Sequence, residues 1–124
     1  MESRRPESVT ETLVTLLAEG DIDGIVSLYE DAAVFADFDG VAVGPSQIRA
    51  AHRKFLGLGL TLQLNRVLTF EADDIALVHW AWTVVGRDGS SNEGISAEVL
   101  RRQADGSWKF IIDNSDGAAL VGLL

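Results

Sequence analysis

Three short stretches hold the residues able to do proton chemistry. Asp37 ends the apolar run Ala33-Val34-Phe35-Ala36-Asp37, just before Phe38-Asp39-Gly40. A carboxylate there either forms a turn by accepting a backbone N–H or serves as a general base at the mouth of a pocket. His79 lies in Leu77-Val78-His79-Trp80-Ala81-Trp82-Thr83. An imidazole in an apolar cavity near Asp37 or Asp113 can shuttle a proton at neutral pH. The alternative is a histidine on an outer sheet face or one satisfied within the core. Side chains alternate along a strand, so His79 and Thr83 share one face and Trp80 and Trp82 the other. Which face looks inward is left open by the pattern. Asp113 and Asn114 end the last strand and have opposite parity, so one of them can face a cavity.

These residues must be positioned by a small set of elements. Helical spacing of Val9, Leu13, Leu16 and Leu17 predicts a first helix over about Pro6 to Glu19, closed by Gly20. Asp21 caps a short second helix, about Ile22 to Tyr29. A strand follows from about Ala33 to Asp37, then a short one over Val41 to Val43. Gly44-Pro45-Ser46 opens a third helix that runs to about Leu58, with Ile48, Ala51, Phe55 and Leu58 on one face. His52, beside Arg53-Lys54, is expected on its exposed side.

From Leu60 the period changes to two. Leu60, Leu62, Leu64, Leu68 and Phe70 alternate with polar residues and predict a half-buried strand. Strands are expected over about Ile75 to Arg87, Glu93 to Gln103 and Trp108 to Asp113. Helices first, then a meander of long strands, indicate an α+β domain with helices on one face of a curved antiparallel sheet. Tyr29, Phe35, Phe55, Phe110 and one parity of the Ile75–Arg87 strand, Trp80 and Trp82, are the candidate lining of an apolar cavity. The Ile75–Arg87 strand is apolar on both sides, so its outer face needs a cover. A second copy of the chain is the economical one, and a homodimer is expected, with the apolar run Ala118 to Leu124 able to pack there too.

At 124 residues the chain is one domain, 1–124, with a formal net charge of −9 and no cysteine. That charge disfavours nucleic acid and anionic membrane surfaces as partners; Arg4-Arg5, Arg53-Lys54 and Arg101-Arg102 are small clusters that read as solvated faces. No apolar stretch is long enough to span a bilayer, and the first residues carry no secretory pattern, so a cytoplasmic protein is expected. Two histidines without clustered acids predict no metal site, and no cofactor fingerprint is present; Gly57-Leu58-Gly59 is a helix end.

The order and spacing of Gly20-Asp21-Ile22-Asp23-Gly24-Ile25, Leu28-Tyr29, Asp31-Ala32, Asp37 with Gly40, Gly44 with Ile48-Arg49, and Asp105-Gly106-Ser107-Trp108-Lys109 resemble the SnoaL-like and ketosteroid-isomerase-like branch of the NTF2-like superfamily over nearly the whole chain. The resemblance implies a cystatin-like α+β cone: a curved mixed or antiparallel sheet with three N-terminal-half helices packed on its concave face. It places Asp37 where the steroid isomerases keep their base. It turns Trp108, Phe110, Ile112 and Asn114 inward, and sets Leu13 and Val99 where those enzymes keep oxyanion donors. Leu13 and Val99 cannot donate a hydrogen bond, so Val99 becomes a lining residue and steroid isomerisation by the standard mechanism is disfavoured. Glu98, one residue from Val99, would then point away. The epoxide-hydrolase branch relies on an Arg-x-Asp strand spacing, which Arg101 and Arg102 lack. The expected function is an apolar cavity for a small, mostly apolar molecule, with acid–base chemistry of isomerase, dehydratase or cyclase type by Asp37, assisted by His79 or Asn114. The alternative is a non-catalytic ligand-binding or association module, since one fold hosts many functions.

Overall fold

The computed structural model describes residues 4–117, so the run Ala118 to Leu124 lies outside the described residues. Three helices precede most of the sheet: α1 (Ser8–Glu19), α2 (Ile22–Val26) and α3 (Gly44–Gly57), with β1 (Tyr29–Asp37) and β2 (Gly40–Val43) between the last two. Then come β3 (Thr61–Ala72), β4 (Ile75–Val85), β5 (Ser91–Ile95), β6 (Ala97–Arg102) and β7 (Trp108–Asn114). The seven strands form one sheet in the order β2-β1-β7-β6-β4-β3, with β5 also paired to β4. The β1–β7 pair is parallel and the others are antiparallel, so the sheet is mixed.

Local chemistry sets the helix ends. Gly20 takes the left-handed conformation (φ 70°) and its N–H closes the last turn of α1 on Leu16 and Leu17. One residue on, the Asp21 carboxylate accepts the Gly24 N–H at 2.9 Å and caps α2. In α3, Pro45 sits in the first turn, where its missing N–H costs nothing. Gln47 reaches back to the Val43 N–H at 2.8 Å. Val9, Leu13, Ile25 and Ile48 then meet Val78, Leu100 and Phe110 in the core between helices and sheet. Apolar burial of this kind contributes roughly 25 cal/mol per Å².

Three boundaries depart from the sequence reading. The second helix ends at Val26, and β1 begins four residues earlier than expected, at Tyr29. Its early part is recruited by β7: the Phe110 N–H donates to the Leu28 carbonyl at 2.9 Å. The strand expected over Glu93 to Gln103 is interrupted at Ser96 but keeps one register against β4, from Val85↔Ser91 to Ile75↔Arg101.

Two β-bulges matter more, because each reverses which side chains face the core. On β3 the register shifts at Asn65, between Leu64↔Trp82 and Arg66↔Ala81. Leu62 and Leu64 therefore face inward, whereas Leu68 and Phe70, expected on the same buried face, turn to the outer face, each 55% exposed. On β7 the shift falls at Ile111, between Leu100↔Phe110 and Val99↔Ile112. Trp108 and Phe110 face the core, as expected, but beyond the bulge Asp113 is inward, and Ile112 and Asn114 are not.

Candidate functional site

Between the helices and the concave face of the sheet lies a cavity of about 350 Å³. Its walls are mainly apolar: Leu13 and Leu17 from α1, Phe35 from β1, Phe55 from α3, Leu62 and Leu64 from β3, and Trp80, Trp82 and Val84 from β4. Its mouth carries Phe38, 78% exposed, and the half-buried Asp37. The deep end is polar and is built from Thr10, His52, Ser96, Glu98 and Asp113, all buried.

Glu98 and Asp113 are direct cross-strand partners on β6 and β7, with both side chains inward. Neighbouring positions in the sheet thus hold two carboxyl groups away from water. Glu98 Oε1 accepts from the Thr10 hydroxyl at 2.5 Å, and Oε2 from the Ser96 hydroxyl at 2.9 Å. The same Ser96 oxygen accepts the Trp80 backbone N–H at 3.0 Å. Asp113 Oδ2 accepts from the Tyr29 hydroxyl at 2.6 Å. Tyr29 Oη is also 3.0 Å from His52 Nε2, and the His52 ring stacks on Phe35 at 4.6 Å between centroids.

Burial governs the proton affinities of all three groups. Desolvation, with the Asp113 charge adding to it, pushes the Glu98 carboxyl up to about 8. Desolvation pushes Asp113 up to about 6, against the opposing hydrogen bond from Tyr29. His52 is lowered to about 4 by desolvation, so its imidazole is neutral at physiological pH. Two facing carboxyls share their protons as one unit. Burial raises the proton affinity of both members of that unit, Glu98 the more strongly.

Asp37 is tied differently. Its Oδ1 accepts the Asp39 N–H at 2.8 Å, which is the turn-forming role, while the residue also borders the cavity mouth. Next to it, Asp39 pairs with Lys54 at 2.6 Å.

The sequence-predicted site residues divide evenly. Asp37, Phe35, Phe55, Trp80 and Trp82 line the cavity. Tyr29 and Phe110 are buried behind it in the core, ring to ring at 4.8 Å. His79, Val99 and Asn114 lie on the other side of the sheet. His79 is one residue from the inward Trp80, and Nδ1 is 3.0 Å from the Ser96 carbonyl. Val99 pairs with Leu77 and Ile112 on that outer face. Asn114 accepts the Asp116 N–H at 3.3 Å in a turn. Glu98, expected to point away, is the one that faces the cavity; His52, expected on the exposed side of α3, is 4% exposed. For Glu98 the sequence held no signal, because its facing follows from the strand pairing with Val78, in phase with Trp80 and Trp82. For His52 the signal was its place four residues beyond Ile48 and one turn from Phe55, on the buried face of α3.

One polar atom is unaccounted for. Trp80 Nε1 is buried with no hydrogen-bond partner among the described residues, whereas Trp82 Nε1 donates to the Ser115 carbonyl at 2.7 Å. Among the described residues no helix is long and apolar enough to cross a membrane.

Residues 10–111 match the family model described as a SnoaL-like domain. No curated protein matches the chain. Among solved structures, the chain is similar to a protein of unknown function with a cystatin-like fold from Nostoc punctiforme. That match has a TM-score of 0.77 at 18% identity and covers 95% of this chain and 92% of that one. It is similar to an NTF2-like protein of unknown function from Pseudomonas putida, with a TM-score of 0.75 at 23% identity and coverage of 87% and 80%. A ketosteroid isomerase-like protein from Erwinia carotovora atroseptica matches with a TM-score of 0.66 at 19% identity and coverage of 88% and 90%. At these identities the likeness is one of fold: an NTF2-like, cystatin-like α+β architecture.

Proposed function

The chain belongs to the SnoaL-like domain family, and from that premise we propose that it binds a small, mostly apolar molecule in the cavity and does acid–base chemistry on it with Glu98 and Asp113. The observation that carries this reading is the pair of buried, facing carboxyls at the end of an aromatic-walled cavity. Perturbed titratable groups gathered in a cleft are a physical signature of a functional site. A protonated acid beside an ionised one supplies both halves of a proton transfer. Isomerisation, dehydration and aldol-type cyclisation all need those halves. Among the described lining residues there is no lysine or arginine, which favours a neutral ligand over an anion. Asp37, at the mouth and engaged in a turn, takes a secondary place in this proposal, and His79 takes none.

Tryptophan emission tests the binding claim, because Trp80 and Trp82 form one wall. Titration with the neutral probe 4-phenylcyclohexanone should change that emission saturably. Leu64→Trp, which fills the cavity from β3, should weaken binding at least tenfold while leaving the far-UV spectrum intact. Saturable binding unchanged by Leu64→Trp would place the probe elsewhere and end this reading.

A homodimer through the outer sheet face is the second part of the proposal. Leu68, Phe70, Leu77, Ile95 and Ile112 are exposed on strands β3 to β7, and exposed apolar patches of that kind mark interaction surfaces. Light scattering at micromolar concentration should give about twice the chain mass, and Phe70→Glu should return it to one. A wild-type monomer under those conditions would refute the dimer.

A further inference from the structure

The two deep carboxyls have different neighbours, and the difference runs through Tyr29, buried behind the cavity wall, and His52, which forms part of that wall. Asp113 is reached from behind by a phenol, and that phenol is in turn held by an imidazole: His52 Nε2 to Tyr29 Oη at 3.0 Å, Tyr29 Oη to Asp113 Oδ2 at 2.6 Å. Among the described residues, Glu98 is held by two aliphatic hydroxyls, Thr10 and Ser96. A phenol spends its single proton in one direction. Donating it to a carboxylate makes the stronger, charge-assisted bond, and leaves the phenol oxygen to accept from His52 Nε2–H. An aliphatic hydroxyl rotates freely, so Thr10 can accept from a protonated Glu98 as readily as it donates to an ionised one.

We infer that Tyr29 and His52 are positioning residues that polarise the pair: they fix Asp113 as the ionised, proton-accepting member and leave the proton on Glu98, where it meets an oxygen of a neutral ligand. The inference rests on the acid–base reading above and deepens it. The groups facing the pair agree from every side. Helix α1 offers Thr10, β4 offers Trp80, α3 offers the neutral His52, and β1 offers Tyr29 and, at the mouth, Asp37. None of these lining groups is a cation that would let both carboxyls ionise together. The neutral imidazole follows from its burial and its stacking on Phe35.

The proton count closes without any further reactant. Glu98 gives its proton to an oxygen of the bound molecule, and Asp113 takes one from a carbon of the same molecule. The shift of a double bond, or the departure of a hydroxyl as water, balances this exchange. Afterwards the proton resides on Asp113 and returns to Glu98 across the facing carboxyls. The ligand class is therefore a neutral molecule with an apolar body, one oxygen acceptor and an acidifiable C–H. Trp80 Nε1, buried without a partner, is a second donor in the same wall.

Carboxyl carbon NMR titrations of the wild type, Tyr29→Phe, His52→Phe and Glu98→Gln test the inference independently of any ligand. Phenylalanine keeps the bulk of both rings. Tyr29→Phe should raise the Asp113 midpoint by one pH unit or more and carry the shared proton toward Asp113. His52→Phe should raise it in the same direction by less. In Glu98→Gln, Asp113 should titrate in a single step at or below its wild-type midpoint. Should both Tyr29→Phe and His52→Phe leave the Asp113 and Glu98 midpoints unmoved, the positioning role falls while the carboxyl pair stands. Should both wild-type carboxyls titrate in the ordinary range near 4, the acid–base reading falls and the inference with it.

Discussion

The cavity has carboxylates in two regions, Asp37 at the mouth and Glu98 with Asp113 at the deep end, and the fold treats them differently. Asp37 is half-buried and accepts a backbone N–H of its own turn. Glu98 and Asp113 are 2% and 3% exposed, face each other across two strands, and draw on Thr10 of α1, Tyr29 of β1 and Ser96 between β5 and β6. A turn carboxylate is held by local sequence, and a short segment suffices to build it. A buried pair is held by tertiary structure, through the hydroxyls and the phenol that satisfy it. The lesson is that local sequence places the mouth carboxylate, whereas strand registry and the facing partners place the deep pair.

The largest effect that could break this comparison is kinetic. On any neutral molecule that the protein turns over, Glu98→Gln and Asp113→Asn should each lower kcat by about 100-fold or more, the usual worth of a positioned acid or base. Asp37→Asn should lower it by less than tenfold. A reversed order would hand the chemistry to the mouth. Stability offers a smaller contrast. Thr10→Val removes a buried donor to Glu98 and should cost about 1–3 kcal/mol by urea unfolding. Asp37→Ala loses one exposed turn bond and should cost less than about 1 kcal/mol. Smallest of all is the effect of the outer face: His79→Gln should leave the 4-phenylcyclohexanone Kd within twofold, measured by tryptophan emission. A larger change would mean that the two faces of the sheet are not chemically separate.

Much of the fold was legible because it rests on local signals. Gly20, Asp21 and Gly44-Pro45 punctuate the helices, and the change of period after Leu60 announces the strands. The aromatic lining was legible in part: Trp80 and Trp82 share a parity, though not which face it is, and Phe55 continues the buried face of α3, whereas Tyr29 and Phe110 sit behind the cavity. The deep pair was not, because its orientation depends on registry between strands. The Ile111 bulge exchanges Asn114 for Asp113 at the cavity, and no glycine or proline marks it. On β3, the Asn65 bulge sends Leu68 and Phe70 outward in a strand whose alternation looks unbroken. Glu98 was set aside through the parity of Val99, a position carried over from a family pattern that this chain does not follow. His52 was misplaced by its charged neighbours in sequence, although its helical neighbours Ile48 and Phe55 face inward.

The most direct test of the deep pair is the pH dependence of folding stability, by urea unfolding between pH 6.5 and 8.5 for the wild type and Glu98→Gln. A carboxyl whose proton affinity is raised by folding stabilises the native state at low pH, and that contribution is lost as the pH rises through its folded value. For Glu98 the loss runs from about 4.5 to about 8. Asp113 has the same sign but is spent by about 6. His52 has the opposite sign, since its lowered affinity costs stability only as the pH falls from about 6.5 toward about 4. Above pH 6.5, therefore, Glu98 is the one of these three still releasing its proton. Wild-type stability should fall there with a slope approaching about 1.4 kcal/mol per pH unit, and Glu98→Gln should flatten the curve. A wild-type curve as flat as that of the variant would contradict the buried, proton-holding pair on which the account stands.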